Sequence, residues 1–264
     1  MSAVEATELA EPTAVTMSEQ GATLVLTLNR PAARNAVNLT MATELAAALD
    51  ELDRRDDLTV AVLTGAGGTF CAGMDLNAFL AGERPSLPDR GFAGLVERPP
   101  AKPLIAAVEG YALAGGFEIA LACDLIVAAE DATFGLPEVK RSLVAAGGGL
   151  LRLPERVPYH LAMEWALTGR MVPAAEAHDA RLVTLLAPPG RALEEALELA
   201  TQIAANGPLA VRATKEVLRS ARDWPSTEAF DRQRELSEPV RASEDAREGA
   251  LAFREKRTPI WKGR

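Results

Sequence analysis

IAAVEGYALAGGFEIALACDLIVAAEDATFGLPE, residues Ile105–Glu138, carries the strongest structural signal in the chain. The apolar run Leu104–Val108, bounded by Pro103 and Gly110, predicts a buried strand. Ala114-Gly115-Gly116 then opens a short helix over Phe117–Ala122, whose first turn leaves backbone N–H groups without intrahelical partners and so favours developing negative charge. A second apolar run, Leu125–Ala129, predicts another strand and leads into Phe134-Gly135-Leu136-Pro137-Glu138. Glu118 and Glu138 thus flank one strand among apolar neighbours, an uncommon setting for a residue that is seldom buried without a partner.

Three further segments stand in order along the chain, two before this stretch and one after it. They are Leu28-Asn29-Arg30-Pro31 with Asn35-Ala36, then Phe70-Cys71-Ala72-Gly73-Met74-Asp75-Leu76, and near the end Ala252-Phe253-Arg254-Glu255-Lys256-Arg257. Each alone is weak: Gly115-Gly116 by itself is a plain turn, and either glutamate by itself is a surface residue. Together, over nearly the whole chain, the four segments resemble the crotonase superfamily, and within it the enoyl-CoA hydratases most.

That resemblance implies an α/β fold, a superhelix of repeated β-β-α turns with a helical C-terminal trimerisation region. It implies an acyl-CoA thioester as substrate, its carbonyl oxygen held by two backbone N–H groups that map to Met74 and Gly115. Donors aimed at an oxygen that gains charge in the transition state are worth roughly 3–4 kcal/mol each. Carried over residue by residue, Glu118 orients and deprotonates the water that attacks Cβ, and Glu138 passes a proton to Cα. Two acids sharing one water titrate as a pair. The same likeness puts Ala33, Arg34, Ala72, Asp75 and Leu76 against coenzyme A and its thioester. It implies no metal and no cofactor beyond the coenzyme A of the substrate, and assembly as a homotrimer or a hexamer made of two trimers.

The expected reaction is reversible syn addition of water to a trans-2-enoyl-CoA, giving a 3-hydroxyacyl-CoA. Two alternatives stay open: another acyl-CoA lyase, dehydratase or isomerase with the same oxyanion hole, and an acyl-CoA-binding protein without turnover. One departure bears on the substrate. Where many hydratases of the family carry Pro-Gly followed by Gly-Gly, this chain has Ala145-Ala146 followed by Gly147-Gly148-Gly149, so the loop beside the acyl group is expected to differ. A phosphate-loop role for that run fails, since no Lys-Ser or Lys-Thr follows it.

Composition narrows the class further. With 264 residues, 48% hydrophobic and 25% charged, the chain matches an ordinary globular protein and has no apolar run of membrane-spanning length. The acidic start MSAVEATELAEP lacks the basic character of a targeting peptide, so a cytoplasmic protein with a short flexible tail over residues 1–14 is expected. A net charge of −9 argues against nucleic acid as partner. Coenzyme A is itself an anion, so a local basic patch is expected, with Arg30, Arg34, Lys256 and Arg257 as candidates. Cys71 and Cys123 form no CxxC pair, and His160 and His178 stand in no ligand-spaced cluster. Cys71 is expected to be a small apolar filler beneath the oxyanion loop.

Along the chain, Thr23–Leu28 and Val60–Leu63 predict strands, with a helix between them capped by Thr40 and carrying Leu45, Leu49 and Leu52 on one face. Residues 77–100 carry no regular signal and are interrupted by Pro85, Pro88, Pro99 and Pro100; such insertions often wall a pocket, here through Phe79, Leu80, Phe92 and Leu95. From Pro158 the spacing turns helical, apart from a brief strand at Val183–Leu186. The expected division is a core with the CoA-ester site over residues 15–200 and a helical region for oligomerisation over 201–264.

Overall fold

The computed structural model describes residues 13–264. Most of the expected tail, residues 1–12, lies outside them, while Ala14 is buried and its carbonyl accepts a hydrogen bond from Asn29.

Strand β1 (Val15–Gln20) and β2 (Thr23–Leu28) form an antiparallel hairpin at the edge of a six-stranded sheet. From β2 onward the sheet is parallel, running through β3 (Val60–Gly65), β6 (Leu104–Val108), β8 (Leu125–Ala129) and β11 (Leu185–Ala187). Ile105 pairs with Val62 on one side and Leu125 on the other, so the decisive stretch supplies two central neighbours of the sheet. Parallel strands covered on both faces require apolar residues at every position, which is why 104–108 and 125–129 read as unbroken apolar runs. Helix α1 (Leu39–Arg54) packs on the β1–β2 hairpin, and α7 (Ala192–Ala204) lies against β3, β6 and β8.

The repeated β-β-α turn is visible twice. β6 is followed by β7 (Tyr111–Leu113) and α3 (Gly115–Ala122); β8 is followed by β9 (Thr133–Gly135), a 3₁₀ turn over Pro137–Arg141, and α4 (Gly149–Arg156). β7 and β9 pair parallel in a second sheet, completed by β10 (Val172–Pro173) and by a bridge from Ala112 to Cys71. Phe117 on α3 and Phe134 on β9 meet at 5.3 Å between ring centroids, fully buried, and α3 packs on α4. These contacts bring one turn of the superhelix onto the next.

Several local expectations shift. Asn38, not Thr40, caps α1, its Oδ1 accepting from the Met41 amide at 3.0 Å; the side chain one turn ahead of the first apolar contact wins because Thr40 already has helical backbone. The helical half begins at Gly149 rather than Pro158, hidden in the sequence by the glycine run and by Pro154 inside α4. The late strand is Leu185–Ala187; Val183 lies in the preceding turn. Residues 77–100, expected to be irregular, hold most of α2 (Leu76–Leu80) and a two-residue hairpin of β4 (Ser86–Leu87) with β5 (Gly91–Phe92). The remaining helices are α5 (Tyr159–Thr168), α6 (Ala174–Asp179), α8 (Pro208–Ser220), α9 (Ala229–Arg241) and α10 (Glu244–Glu255). Helix α7 runs without a break across residue 200. No helix among the described residues is long and apolar enough to cross a membrane.

Candidate active site

The ends of β3 and β6 deliver two loops to the same place. After β3 the chain turns through Ala66–Gly68 and returns as Phe70–Asp75, anchored by the buried Asn35, whose amide nitrogen donates to the carbonyls of Ala66 at 2.8 Å and Thr69 at 2.6 Å. Arg34 is tied to this segment through its carbonyl, which accepts from the Ala72 amide at 3.0 Å. After β7 the chain enters α3 through Ala114, held at φ 50° and ψ −126°, a backbone region that a residue with a Cβ seldom occupies. The two loops touch: a Cβ built on Gly73 would stand 3.3 Å from the Gly115 nitrogen, and one on Gly116 would stand 2.1 Å from the Cys71 carbonyl oxygen. Gly115 itself is constrained by the Phe92 ring, 2.5 Å from where its Cβ would be, so a protein side chain closes that space. Neither the Met74 nor the Gly115 amide donates a hydrogen bond among the described residues.

Both glutamates open into a cavity of about 520 Å³ that Met74, Ala114 and Gly115 also line. Glu118 comes from the first turn of α3 and is 4% exposed. Its Oε1 accepts from the Gly149 amide at 2.9 Å, and a Cβ on Gly147 would lie 2.6 Å from its Oε2, so the three-glycine run wraps the carboxylate closely. Burial raises the pKa of Glu118; the Gly149 and Gly147 amides and the positive charge of Arg152 oppose that rise. Arg152 is held half-buried by a hydrogen bond from its Nη2 to the Val96 carbonyl.

Glu138 sits in the 3₁₀ turn after β9, and its Oε2 is buried with no hydrogen-bond partner among the described residues. Burial pushes its pKa up to about 6, its own backbone amide pulls it down, and the charge of Glu118 adds to the rise. The two acids are therefore unequal. Glu118 is furnished with donors that suit a carboxylate, whereas Glu138 has an unpartnered oxygen that suits a proton.

The other residues named from the sequence divide. Ala72 and Leu76 line the cavity; Ala33 and Arg34 stand outside its wall, with Arg34 exposed at a left-handed turn beside Ala72. Asp75 caps α2 through the Asn77 and Ala78 amides and pairs with Arg30 at 2.9 Å, so Arg30 is engaged by an acid and by the Ala36 carbonyl. Lys256 and Arg257 are not in the cavity wall, and Arg257 pairs with Glu248 and Glu255. Phe79 and Phe92 line the cavity as expected for the insertion; Leu80 is 83% exposed and Leu95 is buried in the core. Cys71 is fully buried, and burial pushes its thiol up to about 12, which removes it as a nucleophile. Sequence reasoning did not identify Arg84, Lys140 and Arg141, three cations in the cavity wall, nor Arg152 behind Glu118. Only the position of Lys140 and Arg141, just after Glu138, signalled them.

The residues 18–264 match the family model described as enoyl-CoA hydratase/isomerase, and the chain belongs to that enzyme family, whose substrates are acyl-CoA thioesters. It is 46% identical to Enoyl-CoA hydratase EchA19 of Mycobacterium tuberculosis, covering 94% of this chain and 96% of the relative. It is 43% identical to Carnitinyl-CoA dehydratase of Escherichia coli (strain K12), over 94% and 98% of the two chains. Among solved structures, the crystal structure of enoyl-CoA hydratase from Mycobacterium tuberculosis H37Rv superimposes with a TM-score of 0.94 at 56% identity, covering 96% of this chain and all of the other. The crotonase fold, the family and the enzyme class expected from the sequence are thereby borne out.

Proposed function

We propose that the chain is an enoyl-CoA hydratase in which Glu118 and Glu138 act as base and acid and the Met74 and Gly115 amides form the oxyanion hole. The observation that carries this reading is the cavity of about 520 Å³ into which both acids and both amides open. In the hydration direction, Glu118 takes a proton from water as the oxygen adds to Cβ. The electron pair of the double bond moves towards the thioester, whose oxygen gains charge between the two amides. Glu138 then delivers its proton to Cα from the same side, giving syn addition. The inequality of the acids suits this division, and because the charge of Glu118 acts on Glu138 the pH dependence belongs to the pair. The reaction needs no cofactor beyond the coenzyme A carried by the substrate.

Glu118→Gln and Glu138→Gln test the roles with crotonyl-CoA as substrate. Each is expected to lower kcat by about 10²-fold or more, and undiminished turnover in either rejects its role. The identity to Carnitinyl-CoA dehydratase supports the alternative, a related acyl-CoA lyase or dehydratase. The cavity wall sets Arg84, Lys140 and Arg141 against Glu97, Glu118 and Glu138, so its charges balance and do not select a neutral over a cationic acyl group. Comparing neutral and cationic enoyl-CoA esters separates the two. Assembly as trimers or paired trimers is part of the same proposal, supported by exposed apolar side chains on the C-terminal helices such as Phe253 at 89% and Phe230 at 76%. Light scattering at graded concentrations tests it.

A further inference from the structure

Helices α4 and α8 turn cations towards one another. On α8 and in the turn that follows it, Arg212, Lys215, Arg219 and Arg222 recur at spacings of three and four, which places them on one stripe. Arg152 and Arg156 stand four apart on α4. Two ion pairs clamp the stripe in place: Lys215 holds Asp124, just after α3, at 2.6 Å, and Arg222 holds Glu155 of α4. Arg219 falls between those clamps on the same stripe and so faces α4. Both acids are thereby taken. Among the described residues, Arg152, Arg156 and Arg219 have no carboxylate within ion-pair distance. Arg152 donates to the Val96 carbonyl and Arg156 to the Cys123 carbonyl at 3.0 Å, and both are half-buried. Glu216, the acid of α8 itself, turns towards α9 and accepts from the Ser220 hydroxyl at 2.7 Å.

Like charges held together in partly buried positions repel through a medium that screens them poorly. Burial and the charges of Arg156 and Arg219 pull the pKa of Arg152 down. An arginine does not give up its proton, however, so an anion is the species that offsets the cluster. We propose that Arg152, Arg156 and Arg219 bind a small oxyanion of the phosphate class between α4 and α8, outside the reaction cavity. A tetrahedral oxyanion offers several acceptor oxygens, and guanidinium forks meet them in pairs. None of the three arginines lines the reaction cavity, yet the charge of Arg152 acts on Glu118 from behind. Glu118 is faced otherwise by the Gly147 and Gly149 amides and by Glu138, while Glu97, Arg84, Lys140 and Arg141 complete the charged groups of the cavity wall. A bound anion offsets the charge of Arg152 that favours the Glu118 carboxylate, so on the hydratase reading phosphate tunes the base.

Inorganic phosphate is the probe. Its effect on Tm is measured for wild type, Arg219→Gln and Arg219→Lys saturated with acetyl-CoA, which fills the thioester's own site, against sodium chloride at matched ionic strength. Wild type is expected to show a saturable rise in Tm with phosphate. Loss of one charge-assisted donor is expected to weaken phosphate by about ten-fold or more in Arg219→Gln, and Arg219→Lys, which keeps the charge, by less. The activity arm reads kcat at saturating crotonyl-CoA across pH. Phosphate is expected to lower kcat about two-fold on the acidic limb of wild type, the effect of a unit charge about 10 Å away, to leave the plateau unchanged, and to have no such effect in Arg219→Gln. A phosphate effect no greater than that of chloride overturns the proposal. So does an effect of equal size in wild type and Arg219→Gln, which marks an ion that adheres elsewhere. Loss of assembly in Arg219→Gln by light scattering, with wild type indifferent to phosphate, also overturns it, because a carboxylate of a second copy is then the counter-ion. Arg219-dependent binding with an unmoved acidic limb overturns the link to Glu118. Arg219-dependent binding in a protein that does not hydrate crotonyl-CoA refutes the hydratase reading and upholds the site.

Discussion

Gly147→Ala separates catalysis from folding at a single methyl group. The new Cβ would stand 2.6 Å from Glu118 Oε2 and 3.0 Å from its Cδ, whereas ordinary contact begins at 3.4 Å. Relief requires the carboxylate to retreat by about 0.8 Å, the difference between 3.4 and 2.6 Å. Glu118 is 4% exposed and held by the Gly149 amide at 2.9 Å, so the movement is a rotation of its terminal group that disturbs that bond, not an outward swing into solvent. The backbone at Gly147 has no positive φ that would forbid alanine, and the displaced atoms end a side chain rather than belong to the core. Stability is therefore expected to change by less than about 1 kcal/mol, within the range of mild substitutions. Misplacing a catalytic group by about 1 Å is worth on the order of 10²-fold in rate, so kcat for crotonyl-CoA is expected to fall by tens to about a hundred-fold, with KM nearly unchanged. Steady-state kinetics with a thermal melt on the same preparation provide the assay. Wild-type kcat in a correctly folded variant would falsify the claim that this glycine run positions the base, and so would a parallel collapse of Tm and activity.

Glu138→Gln is expected to be inactive yet more stable than wild type at pH 8. Folding raises this carboxyl from 4.5 to about 6, so the folded state binds the proton more tightly, stability falls as pH rises between those values, and the penalty is complete above them. The shift corresponds to at most about 2 kcal/mol, and about half of that after screening by solvent, or a gain of roughly 2–4 °C in Tm that disappears below pH 4.5. Arg152→Gln removes a charge that holds the Glu118 carboxylate ionised, so the acidic limb of kcat/KM is expected to move to higher pH while Arg152→Lys keeps it in place; identical profiles in all three proteins refute this role. Lys102 is 4% exposed and its Nζ donates to the carbonyls of Leu52 and Arg55 at the end of α1. Lys102→Met leaves both acceptors without that donor and is expected to lower stability by about 2–3 kcal/mol in urea unfolding, with crotonyl-CoA kinetics unchanged.

The amino-acid sequence displays the strands at 104–108 and 125–129 with their boundaries, because strands buried on both faces leave an unbroken apolar signature. It also singled out Glu118 and Glu138, as acids in apolar company, and the helix start at Gly115-Gly116. The three-residue strands β7 and β9 escaped, being too short for a period to emerge, as did α4, masked by its glycines and Pro154. Three-dimensional packing alone closes Phe92 on Gly115, sets Gly147 and Gly149 around Glu118, gives Arg30 to Asp75, and opens a second apolar cavity behind Glu138. Local pattern records which side of an element faces the interior. It carries no information on which distant element arrives there, and the chemistry of this site is made where four such elements meet.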